Sequence, residues 1–214
     1  MNKYYAWRRF LLKKLHQVLL ALFFLVLFWS GFDHADYLTW SLEVAPGILY
    51  IVILALTYKR FQFTDLVYVF VLLHCIILFI GAKYTYAAVP LFDWLRDAFD
   101  MTRNNYDKVG HAAQGFIPAL IIREIVIRFN LVKTRGFTNV VIVCMCLAIS
   151  AGYEIIEWFA AEIIGDSAEA FLGTQGYVWD TQSDMLCALL GACCMIMLLS
   201  KAHDKAIKAG MDQP

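Results

Sequence analysis

Along this chain of 214 residues, apolar positions gather into six long stretches, at about 15–32, 44–58, 66–86, 109–127, 137–160 and 182–200. A bilayer core of about 30 Å takes about 20 apolar helical residues to cross. Backbone amides that find no water in lipid must pair within their own segment, which makes each stretch helical. The pattern predicts an all-α polytopic membrane protein: one transmembrane domain over 1–214, a bundle of about six helices with both termini cytoplasmic. The stretch 44–58 is the shortest fit, because Pro46 and Gly47 near its start predict a helix entrance or a kink there. Neither an internal repeat nor a low-complexity linker interrupts the series.

Between the third and fourth stretches the period changes. In 87–108, Leu91, Phe92, Leu95 and Phe99 share one helical face, and Asp93, Asp97 and Asp100 share another. Two readings fit equally: an amphipathic helix lying in the membrane interface, or a loop helix packed on the ends of the spans.

Composition agrees with the pattern. Hydrophobic residues make up 61% of the chain, charged residues 17%, and the mean hydropathy is +0.63. Soluble domains run about 45–50% apolar and about 25% charged. The net charge is zero, which gives no footing for nucleic-acid binding. All six cysteines lie within apolar runs and read as small packing groups. The first run is longer than the ~7–15 residues of a signal-peptide core, and no small-x-small site follows it, so it reads as an uncleaved span.

Charge sets the expected orientation. With cytoplasmic termini, fourteen of the eighteen cations fall on the inner side, leaving Lys83, Arg96, Arg103 and Lys108 outside. Lys and Arg resist translocation, so this is the favoured topology. Trp29, Trp40, Trp94, Trp158 and Trp179 then lie near the outer interface and Trp7 near the inner one. The expected location is a bacterial inner membrane, crossed several times, with the lipid bilayer as the first partner.

Three polar motifs recur at one depth. In "NYDKVGHAAQG", Asp107 and His111 share a helix face, with Gln114 one turn on. In "SAGYEIIEWFAAE", Glu154 and Glu157 share a face about 25 Å along the fifth span, at 1.5 Å per residue. In "GTQGYVWDTQSDM", Asp180 and Asp184 open the sixth span. Ionisable groups within spans cost several kcal/mol unless they face a bundle interior or a wet cavity. Asp107 and Asp180 could simply cap helices. Glu154 and Glu157, near a helix C-terminus, have no such use. Asp107, His111, Glu154, Glu157, Asp180 and Asp184 are therefore the candidate catalytic residues, with structural packing as the alternative. His111, Lys108 and Arg103 would offset part of the negative charge. A divalent metal on Asp107, His111, Glu154 and Asp184 would do the same, although no motif identifies one by spacing. His74, mid-span, reads as a neutral histidine bonded to a neighbouring helix, or else as a proton relay. Gly191, Ala192 and Cys193 read as a close helix contact.

The ordered set "YDKVGHAAQGF", "GYEIIEW" and "GTQGYVWDTQSDM" resembles the YjdF-type family of bacterial inner-membrane proteins, which carries a domain of unknown function. More distantly, the chain looks like the VanZ-like membrane proteins, known through resistance to teicoplanin. Asp107, Lys108 and His111 match the Asp-Lys-x-x-His of that pattern, Glu154 its second motif, and Asp184 and Gly191 its third. Glu157 replaces a Gln, Ala188 replaces an Asn, and no Arg precedes Asp184. The resemblance implies a shared polar site without a shared substrate.

Together these features suggest a periplasm-facing acid and histidine pocket that handles an envelope lipid headgroup or lipid-linked precursor. A proton-coupled transporter and a non-catalytic scaffold are the alternatives. No G-x-S-x-G or other nucleophile motif decides whether it is an enzyme.

Overall fold

The computed structural model describes residues 3–165 and 169–211, and the side chains of 14–163 and 171–210. The side chain of Trp7, assigned above to the inner interface, and those of Lys3, Arg8, Arg9 and Lys13, four of the fourteen inner-side cations, lie outside that set. Six long helices form: α1 (Lys3–Gly31), α2 (Tyr37–Thr57), α3 (Asp65–Tyr84), α5 (Tyr106–Arg128), α6 (Arg135–Ile164) and α8 (Asp180–Met211). Two short ones, α4 (Pro90–Ala98) and α7 (Glu169–Leu172), and a 3-10 turn at Tyr86–Ala88 join them. The six long helices are long and apolar enough to span a bilayer. They alternate in direction, so α1 starts and α8 finishes at one end of the bundle, here the terminal end. The opposite, far end holds the starts of α2, α5 and α8.

The second helix departs from expectation. It begins at Tyr37 instead of 44 and carries Pro46 inside it. Pro removes one amide donor, a loss that neighbouring helices make good within membranes. Asp36 supplies the start signal, its carboxylate accepting from the Thr39 amide at 2.7 Å. That bond holds the Asp36 carboxyl below its ordinary 3.8. A depressed folded-state pKa gives stability that is present above the unfolded value and lost as pH falls through the folded one. Asp36→Ala is expected to cost about 1 kcal/mol at neutral pH in chemical unfolding. That difference from the parent should vanish in strong acid.

Helix α5 is the axis of the bundle. It is the most buried span and packs on α8, α6 and α3, whereas α1 and α2 lean on α3. Small residues make this possible. A Cβ on Gly115 would overlap the Ala188 carbonyl, and one on Gly191 would overlap that of Ala112, so the close contact expected around Gly191 is present. Outward, Leu25, Phe28, Leu56, Ile155, Met197 and Leu198 are exposed, as a lipid-facing belt requires. Trp29, Trp94, Trp158 and Trp179 are exposed at the far end. Trp40 instead turns inward and donates to Ser30 at 3.1 Å. In α4, Phe92 packs edge-on against Tyr106, with ring centroids 5.1 Å apart, while Leu91, Trp94 and Phe99 stay exposed. The helix is thus both docked on the bundle and apolar toward its surroundings.

Candidate functional site

Polar loop contacts fasten the far end around the starts of the long helices. Asn104, fully buried, donates its side-chain amide to Val89 and Asp93, each at 3.1 Å, and accepts from the Tyr106 amide at the start of α5. Gln175 pairs with the Asn104 backbone in both directions, at 2.9 and 2.8 Å. These bonds fix the loop before α5 against the loop before α8, so the two helix starts arrive together.

Asp107, His111, Asp180 and Asp184 consequently meet. Lys108 Nζ lies 2.6 Å from both Asp180 and Asp184 and 3.4 Å from Asp107. Arg103 donates to Asp180 at 2.5 Å and to the Gly173 carbonyl at 3.1 Å. His111 Nε2 is 3.3 Å from Asp107 and 3.8 Å from Asp184. Its Nδ1 faces Gln114 at 3.2 Å and Glu154 at 3.7 Å. The six candidate residues are all buried, and each touches or borders this cluster. Glu157 joins Asp107 and His111 on the wall of a cavity of about 240 Å³.

Asp107, His111 and Asp184 can each turn one ligand atom to within 4.8 Å of the others. Two carboxylates and an imidazole suit a divalent cation of moderate hardness. Lys108 already contacts both carboxylates, so a metal would use their remaining oxygens.

Several members were absent from the expected set. Glu43, 3% exposed, lines the same cavity and lies 3.5 Å from the Tyr153 hydroxyl. It was missed because the span was started at 44, which left Glu43 in a loop. Tyr86 also lines the cavity, and its burial, with Glu43 nearby, pushes its hydroxyl far above the usual range. It is a neutral donor at any working pH. His74 was expected to bond to a neighbouring helix. Instead it is 3% exposed, borders the cavity, and neither ring nitrogen has a hydrogen-bond partner among the described residues.

A larger cavity of about 470 Å³ lies among α1, α2 and α3 toward the terminal end, where His16 bonds to Tyr58 at 2.7 Å and Asp65 at 3.0 Å. None of the acids of the far-end cluster borders it.

A six-span helical bundle with a buried ionic cluster at one end is an integral membrane protein. The chain belongs to the family described as "Predicted membrane protein (DUF2238)", whose model matches residues 15–205. It is also 45% identical over 184 residues to the inner membrane protein YjdF of Escherichia coli (strain K12), covering 86% of this chain and 88% of that protein. This places the chain among inner-membrane proteins. No solved structure matches it.

Proposed function

We propose that the far end faces the periplasm and that its cavity handles an envelope lipid headgroup or lipid-linked precursor. Cation asymmetry supports the orientation, since Lys and Arg gather at the terminal end. A reporter fused after Pro214 is expected to read cytoplasmic, and a periplasmic signal would overturn the placement of the site.

The observation that carries the functional reading is the convergence of Asp107, His111 and Asp184, all buried, with Asp107 and His111 on the wall of a cavity that meets the lipid-facing surface. In this reading Asp107 orients His111, and His111 with Asp184 holds a divalent cation or moves a proton at a headgroup bond. Six carboxylates (Glu43, Asp107, Glu154, Glu157, Asp180 and Asp184) outnumber the two permanent cations Arg103 and Lys108. The balance has to come from protons or a bound cation.

Metal analysis of the purified chain tests this. Wild type is expected to retain a stoichiometric divalent cation, and Asp107→Ala and His111→Ala to lose it. Glu154→Gln is expected to weaken retention less, because Glu154 approaches only through His111. Wild-type protein without metal, together with variants that match it in lipid copurification, would sink the reading. One observation favours transport instead: His74 sits unpartnered beside the same cavity. Proton uptake in proteoliposomes that is abolished by His74→Ala would support that alternative.

A further inference from the structure

Two buried carboxylates of the cavity lack a salt-bridge partner among the described residues. Glu43 and Glu157 form no ion pair among the described residues, because Arg103 and Lys108 are engaged with Asp107, Asp180 and Asp184 on the α5–α8 side. Among the described residues no Lys or Arg borders the cavity. Its other polar groups are His111, Gln114, Tyr50, Tyr86, Tyr153, whose hydroxyl donates to Glu43 at 3.5 Å, and His74, whose two ring nitrogens have no hydrogen-bond partner among the described residues. Buried carboxylates without a charged partner cost free energy even where a hydroxyl donates to them. Such a lining complements a ligand that brings positive charge and N–H groups together.

The walls also say how that ligand arrives. Helix α2 packs along α3 and meets α6 through Glu43 and the Tyr153 hydroxyl, 3.5 Å apart. Where α2 and α6 part, Leu49, Ile53 and Ile149 border the cavity and are 59%, 48% and 42% exposed on the lipid-facing surface. On the far side, α7 rests against the ends of both helices and turns Phe171, 5% exposed, onto the cavity. Among the described residues Phe171 covers the cavity toward the loops, while its apolar rim between α2 and α6 faces lipid.

We infer that the cavity binds the ammonium group of a lipid entering sideways between α2 and α6. The ammonium lies against Glu43, Glu157 and the tyrosine faces, and the lipid's apolar portion lies along Leu49, Ile53 and Ile149. A bare metal ion would have no use for aromatic and aliphatic walls, and a proton would not need about 240 Å³. Carboxylates set among aromatic rings are a recognised means of holding ammonium groups. The inference rests on the reading above only in taking the same cavity as the site.

The test is a binding titration of the full chain by native mass spectrometry in the presence of a chelator. Its readout therefore does not depend on the metal cluster. The probes are phosphatidylethanolamine, its N-acetyl derivative, phosphatidylglycerol and free ethanolamine. Phosphatidylethanolamine is expected to bind about ten-fold more tightly than either of the two lipids that keep the phosphate and lack the ammonium. The preference should vanish in Glu43→Gln/Glu157→Gln and survive in Glu162→Gln, which alters an exposed acid. If the double variant does not fold, the wild-type comparison between the amine and its N-acetyl derivative decides alone. Equal affinity for all three lipids overturns the ammonium assignment. Displacement of the lipid by free ethanolamine at equal concentration overturns lateral, lipid-borne entry. Loss of metal in His111→Ala without any amine preference would leave the proposed function standing and remove only this inference.

Discussion

Gly115→Val is expected to destabilise the protein by about 3 kcal/mol or more and to dismantle the far-end site as well. At this position the added Cβ would meet backbone, the Ala188 carbonyl, in place of a side-chain tip. A side chain can rotate away, but a carbonyl in a helix cannot. The contact is reciprocal, since Gly191 faces the Ala112 carbonyl in the same way, so neither helix can slide without a new clash. Overpacking into adjustable neighbours typically costs about 1–3 kcal/mol, and two rigid backbones put this case at or beyond the top of that range. The second consequence follows from geometry. Asp180 and Asp184 reach Lys108 at 2.6 Å because α8 lies directly on α5. Separating the helices by the width of a methyl group breaks both bonds and draws Asp184 away from His111. Detergent unfolding should show a lowered midpoint, and metal retention should fall together with it. Gly152→Val is the control, because a Cβ there meets nothing within 4 Å. Equal stability of the two variants would mean that α5 and α8 do not touch as described.

The hydrophobic pattern was sufficient for the six spans because in lipid a long apolar run has one way to satisfy its backbone. It misled at Pro46, where rules learned from water place a helix start. In the membrane the helix runs through, and the error carried Glu43 out of sight. The acids at one depth were legible for a related reason. Charges in spans must converge on something, and helix geometry gives their depth from residue number alone. Their neighbours were not legible. Nothing local marks Asn104 or Gln175 as the groups that fasten two loops, since any polar loop holds such residues. Nor does the run around His74 reveal that its ring faces a cavity. Both depend on which helices are adjacent, and the spacing of apolar residues says nothing of that. Arg123 and Glu124 show the same limit: two charged residues near the end of an apolar run suggest an interface, and they are 6% and 0% exposed.

Those two residues anchor the other end of α5, where Glu124→Ala is expected to cost about 2–4 kcal/mol while leaving the far-end site intact. The Glu124 carboxylate accepts from the Thr64 amide at 2.9 Å, the Thr64 hydroxyl at 2.8 Å, Arg128 at 2.9 Å and His203 Nε2 at 3.1 Å. A guanidinium can only donate, so Arg123, 3.2 Å from His203 Nδ1, fixes which nitrogen accepts. The other nitrogen carries the proton offered to Glu124. The acid thus joins the start of α3 to the end of α8 through α5. Hydrogen bonds within membrane proteins average about 0.6 kcal/mol and reach about 1.7. Four of them on one fully buried group, two with charged or histidine partners, give the stated range. Arg128 suffers least from the change, since it also bonds the Gln62 carbonyl at 2.6 Å and stacks on Phe61 at 3.9 Å. His203 and the Thr64 amide are left with buried donors and no acceptor. Glu124→Gln keeps one oxygen and should cost less. His203→Ala should add little in the Glu124→Ala background, because the partner it would remove is already gone. The 17 residues from Asp107 to Glu124 span about 25 Å of helix, so metal and lipid retention at the far end should hold in every variant that folds. Detergent unfolding of the single and double variants measures the coupling, and strictly additive losses would show that Glu124 and His203 do not act through each other.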